Sequence, residues 1–116
     1  MSIDNSKEID FVSLNSIPDT ALLVVSDHLD WSDTLWHQLK LQEKLNTYLA
    51  FIENGELLMR FPKAKNKRVM VRVIFQYQPD RSGEEFLAKV NGAFKAAGFA
   101  FSYQVGVTEP DPHTIN

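Results

Sequence analysis

The stretch DWSDTLWHQLKLQEKLNTYLAFIENG, residues 30–55, constrains the fold more than any other part of the chain. Apolar residues recur in it at helical spacing for more than about five turns, and Asn54-Gly55 closes it in the left-handed manner common at helix ends. The pattern predicts one long helix. Asp30 is its expected N-cap, and Asp33 suits the positive end of the helix dipole. At about 100° per residue, Trp31, Leu35, Leu39, Leu41, Leu45, Tyr48, Leu49 and Ile52 fall on one broad arc, the expected core face. Gln38, Gln42 and Asn46 lie inside that arc. A buried amide without a partner costs about 1–3 kcal/mol, so these three either bond structurally at the core rim or mark a partner groove. Trp36 falls off the arc, among Lys40, Glu43 and Thr47. Phe51 is read on the same outer side, about 22 Å further along a helix rising 1.5 Å per residue. Tryptophan gains much from burial and dominates interface hot spots. Trp36 and Phe51 are therefore either covered by another part of the chain or available to anchor a partner or a second copy.

The flanking sequence supplies strands. Residues 9–15 fit a short, weakly patterned strand, and Pro18-Asp19 suits a type I turn. Ala21-Leu22-Leu23-Val24-Val25 is a continuous apolar run, the mark of a strand buried on both faces and central in its sheet. With residues 9–15 it should form an antiparallel hairpin. Residues 56–61 read as extended, before a basic, proline-marked loop. Residues 69–78 alternate, with Val69, Val71, Val73, Phe75 and Tyr77 on one face and Met70, Arg72, Ile74, Gln76 and Gln78 on the other. Ser82 and Glu85 form a capping box for a second helix with the stripe Phe86, Leu87, Val90, Phe94 and Ala97, stopped at Gly98. A last strand alternates Phe99, Phe101, Tyr103, Val105 and Val107 with small or polar residues.

These elements predict an α+β two-layer sandwich: a three- to four-stranded sheet with two helices on one face, in the order β-β-α-β-α-β. The sheet's other face, with Arg72, Gln76, Ser102 and Gln104, is left to water or a partner. One domain over residues 9–107 is expected, with flexible tails at 1–8 and 108–116.

Composition narrows the class. The 116 residues are 44% hydrophobic and 23% charged, as in an ordinary globular protein, and no apolar run is long enough to span a bilayer. The N-terminus lacks the basic and apolar regions of a signal peptide, and cysteine is absent, so a cytoplasmic setting is the expectation. The net charge of −3 is uneven: −6 over residues 1–33, +5 over 34–72 and −2 over the remainder.

The residues Ser26-Asp27-His28-Leu29-Asp30-Trp31, His37, Leu41-Gln42-Glu43-Lys44-Leu45-Asn46, Tyr48, Phe51-Ile52, Gly55-Glu56-Leu57 and Pro62 resemble a family of short bacterial proteins known only as a domain of unknown function. With the 86–101 region, the resemblance covers residues 10–103. It implies a complete small bacterial domain and no particular activity.

Three constellations could carry chemistry. Asp27, His28, Asp30 and His37, with Asp33 nearby, lie between the apolar strand and the long helix, where α/β layers often bind ligands. Such His and Asp donors suit a divalent ion or acid–base catalysis, although a metal needs further ligands and Asp30 already has a capping role. His37, Lys44 and Tyr48 form a second stripe, read as bordering the core with polar tips in water. Residues 60–68 hold five of the twelve positive charges. The acidic whole and the absence of a recognised motif disfavour nucleic acid. No phosphate loop, GxSxG or HExxH occurs, and no cofactor is implied. The reading that results is a non-catalytic accessory or protein-binding module, in the manner of an immunity protein, acting on a protein partner or on itself. Trp36, Phe51, Gln38, Gln42 and Asn46 are its candidate contacts. A small metal-dependent or acid–base enzyme using Asp27, His28, Asp30 and His37 is the alternative.

Overall fold

In the computed structural model, which describes residues 8–106, four strands and three α-helices alternate along the chain. β1 (Phe11–Ser13) pairs antiparallel with β2 (Thr20–Asp27), which pairs in parallel with β3 (Arg68–Phe75), and β3 with β4 (Ala100–Val105). The spatial order is β1-β2-β3-β4. The expected α+β architecture and antiparallel hairpin are present, and β2 is internal as its apolar run requires. The hairpin's turn differs in type. Asp19 has φ 56°, so the Ile17–Thr20 bend needs a left-handed third residue, which aspartate tolerates.

Two crossovers, through α1 (Thr34–Glu53) and α3 (Arg81–Ala96), carry the chain from β2 to β3 and from β3 to β4. Parallel crossovers are right-handed, and two that step the same way across a sheet stack their helices on the same side. One core results. Ala21, Leu23 and Val25 of β2 and Val71, Val73 and Phe75 of β3 meet Leu41, Leu45, Tyr48 and Phe51 of α1 and Leu87 and Phe94 of α3. Phe101 packs against this core, its ring 5.2 Å from that of Phe94. The alternation read for β3 and β4 thus points the right way. Tyr77 lies beyond the end of β3 and is exposed, and Val107 lies outside the described residues, as do residues 1–7 and 108–116.

Several local expectations are corrected. The long helix starts at Thr34, and Asp33 rather than Asp30 is its N-cap, accepting the Trp36 N–H at 3.2 Å. Asp30 instead bends the approach, accepting from the backbone and hydroxyl of Ser32. Trp31 therefore precedes the helix. Residues 56–61 are not extended: α2 (Glu56–Arg60) and a 3-10 turn (Pro62–Ala64) occupy that region, so three helices stand where two were expected. Gly55, at φ 87°, ends α1 and starts α2, and Leu57 is thereby sunk into the core. The α3 cap is Asp80, bonded to Gly83 N at 2.7 Å, and not a Ser82/Glu85 box.

The largest correction is the phase of α1. Its inward stripe is His37, Leu41, Lys44, Leu45, Tyr48 and Phe51. Leu35 and Leu39, read as core, are 69% and 61% exposed. Phe51, read as outward, is 4% exposed, with the Arg60 guanidinium 5.6 Å from its ring centre.

Candidate functional site

The start of α1 and the end of β2 bring two of the singled-out side chains, Asp27 and His37, into contact. Asp27 is the last residue of β2, and its side chain and that of His37 are fully buried. His37 Nε2 lies 2.5 Å from Asp27 Oδ2, and His37 Nδ1 lies 2.9 Å from the Asp30 carbonyl oxygen. A carbonyl only accepts, so Nδ1 carries a proton, and the other nitrogen shares one with the carboxylate. Asp27 Oδ1 also accepts the Leu29 N–H at 3.0 Å. The Trp31 ring lies flat on the imidazole, with centroids 3.7 Å apart, and its Nε1 donates to the Tyr77 carbonyl. Gly83 is required beneath this stack, because a Cβ there would stand 2.8 Å from the indole.

Asp30 is brought near only through its backbone. The Ser32 hydroxyl, and then the Ser32 N–H, hold its exposed carboxyl below the usual aspartate value. His28 is half-buried one residue past the strand. Among the described residues, no group of three or more His, Asp or Glu side chains is placed to hold a metal ion.

Lys44 and Tyr48 make a second polar node on the buried stripe. The Lys44 ammonium is buried and donates to Asp10 Oδ1 at 2.8 Å and to the Glu8 carbonyl at 2.6 Å. Tyr48 donates to the Val24 carbonyl at 2.6 Å and accepts the Asp10 N–H at 2.8 Å. Burial pushes its phenol well above the ordinary tyrosine value. The spacing of His37, Lys44 and Tyr48 was legible in the sequence, but its place at the centre of the core was not. The missed signal was that the stripe continues without a break through Leu41, Leu45 and Phe51.

Opposite this buried stripe, α1 presents Leu35, Trp36 and Leu39 to solvent, with Trp36 46% exposed. Leu39 stands four residues after Leu35 and three after Trp36, so it neighbours both on the helix surface. The Lys40 ammonium stands 5.7 Å from the Trp36 ring centre. Gln42 and Asn46 continue this face and are exposed. Gln38 is different: it donates to Ser82 Oγ at 3.0 Å and Thr34 Oγ1 at 3.3 Å, and Thr34 in turn reaches Asp80. That amide ties the start of α1 to the start of α3, a structural role. In the basic segment 60–68, Arg60 pairs with Glu56 at 3.5 Å and stands over the Phe51 ring.

Residues 1–107 match a family of unknown function, DUF6572. The chain belongs to it. No curated protein and no solved structure matches the chain. For this DUF6572 member, α1 has two unlike faces, one buried and one exposed. The inner one is tied to β2 by the Asp27–His37 pair and to the N-terminal segment by the Asp10–Lys44 pair. The outer one carries large apolar side chains that the core does not use.

Proposed function

We propose that this DUF6572 member is a non-catalytic, protein-binding module of the bacterial cytosol, and that its docking surface is the outer face of α1. The observation that carries the reading is the exposed cluster Leu35, Trp36 and Leu39 on one rigid helix. An exposed tryptophan is a typical interface anchor, the exposed leucines beside it on the helix widen the apolar surface, and exposed Gln42 and Asn46 supply a polar border. The helix is fixed before any partner arrives. Asp33 caps it, and the Gln38–Ser82 and Thr34–Asp80 bonds clamp its first turn to α3, so little ordering entropy opposes docking. The Asp27–His37 pair is engaged in holding that clamp region together, with both imidazole nitrogens bonded. An immunity-type role, in which a small acidic protein covers another, fits this surface.

The test compares baits in a host extract. A protein retained by the wild type and by Glu85→Ala should be lost, at least tenfold, with Leu39→Asp or Trp36→Ala at unchanged melting temperature. Retention indifferent to both α1 substitutions would remove this surface from the function.

A further inference from the structure

The two edges of the sheet are unequal. β1 is three residues long, the short kind of edge that proteins use to discourage pairing. β4 is six residues, Ala-Phe-Ser-Tyr-Gln-Val, with no charge and no proline. Its register with β3 runs without interruption from Met70↔Ala100 to Phe75↔Val105, so no bulge turns the edge away. Among the described residues, no strand lies against its far side.

The hydrogen-bond phase of β4 follows from one contact. Gly106 N donates to the Phe75 carbonyl at 2.8 Å, while Phe75 is in register with Val105. In a parallel ladder this turns the even residues of β4 towards β3. The N–H and C=O groups of Phe101, Tyr103 and Val105 therefore point outward. Their side chains stand on the helix side of the sheet, where Tyr103 and Val105 remain 39% exposed. Between this edge and α3 runs an open groove of about 290 Å³, lined by Glu84, Leu87, Ala88, Asn91, Phe101 and Tyr103.

We infer that β4 is a self-association edge, pairing antiparallel with β4 of a second copy around a twofold axis through Tyr103. Three outward residues spaced by two are self-complementary in one register above others. Tyr103 meets Tyr103 of the second copy, and Phe101 meets its Val105. Each of these is a hydrogen-bonded pair exchanging two N–H···O bonds. Shifting the register by two residues leaves one outward residue of each copy unpaired. The edge carries no charge, so a copy meets it without like-charge opposition. The result is one continuous sheet with β1 as both outer edges. Because α1 lies away from the β4 edge, this inference is independent of the docking surface proposed above.

The absence of cysteine makes the test direct. In the proposed register the Tyr103 Cα atoms are about 5.5 Å apart, inside the disulfide range, whereas the Ser102 Cα atoms are about 8 Å apart, outside it. Under mild oxidation Tyr103→Cys should form a covalent dimer in high yield and Ser102→Cys should not. By sedimentation the wild type should run as two chains. Tyr103→Pro, which removes an outward N–H and the ring contact with Phe75 at 5.7 Å, should run as one chain with a melting transition as cooperative as that of Tyr103→Ala. A monomeric wild type, equal cross-linking at both positions, or a dimer abolished by Leu39→Asp but not by Tyr103→Pro would overturn the inference. If Tyr103→Pro unfolds the protein, the cysteine pair still decides.

Discussion

Asp27 and His37 show how a single contact can be polar in kind and structural in effect. Both side chains are fully buried, and without the other each would keep one backbone bond and leave its second polar atom stranded. Removing one partner of such a pair destabilises by about 3–5 kcal/mol, because a desolvated group is stranded. His37→Ala and Asp27→Ala should each lower stability by about that amount in denaturant titrations. The double substitution should cost well under their sum, since the second removes a group already stranded. Additive losses would mean that the two side chains act separately. Trp31 and Gly83 belong to the same unit. The indole covers the imidazole, and only a residue without Cβ lets α3 approach it. The sequence displayed Asp27, His28, Asp30 and His37 as a possible ligand set, and the fold puts the Asp27 and His37 side chains in contact. Their burial was not legible, because it depends on Trp31 leaving the helix before its first turn.

At the scale of elements, strands were easier to read than the long helix for a physical reason. A strand's period of two survives an odd residue, and Val71, Val73 and Phe75 point inward as their alternation demands. On α1, apolar residues occur on every side, and two polar residues, His37 and Lys44, sit in the buried stripe. Counting apolar weight therefore rotated the face towards Leu35 and Leu39. The error began with the cap, since placing it at Asp30 drew Trp31 into the helical arc. The cap assignment is separately testable. Asp33→Ala should destabilise by about 1 kcal/mol through the lost bond to the Trp36 N–H. Asp30→Ala should have a smaller effect and a different pH signature. The Ser32 bonds hold the Asp30 carboxyl below its ordinary value, so whatever it contributes is present above the usual aspartate range. That contribution fades as pH falls through the lowered value. Thermal melts between pH 2 and 7 distinguish the two variants, and an Asp33→Ala protein as stable as wild type would return the cap to Asp30.

For the whole molecule, the element order was legible because each crossover has a strand, a helix and a strand of recognisable period, whereas the strand order β1-β2-β3-β4 came only from the structure. What joins the parts into one body was not, because it runs through the polar ends of Tyr48 and Lys44, which the sequence reading left in water at the border of the core. Tyr48 links α1 to β2 through the Val24 carbonyl and to the N-terminal segment through Asp10 N, while Lys44 holds the Asp10 carboxylate beside it. The fold is thus closed by a buried phenol that must stay protonated to donate. Burial raises the Tyr48 phenol above its ordinary value of 10.0 in the folded state. The unfolded chain then releases that proton at lower pH than the folded one. The sign follows: the stabilisation is complete below about pH 10 and declines as pH climbs towards the raised folded value. Tyr48→Phe strands the Asp10 N–H and should lose about 1–3 kcal/mol at neutral pH. The same variant should show a flatter decline in stability between about pH 9.5 and 11, since the linked proton has gone. Chemical denaturation at several alkaline pH values measures both effects. If wild type and Tyr48→Phe fall in parallel over that range, the phenol is not the group that couples alkaline pH to the closing of this fold.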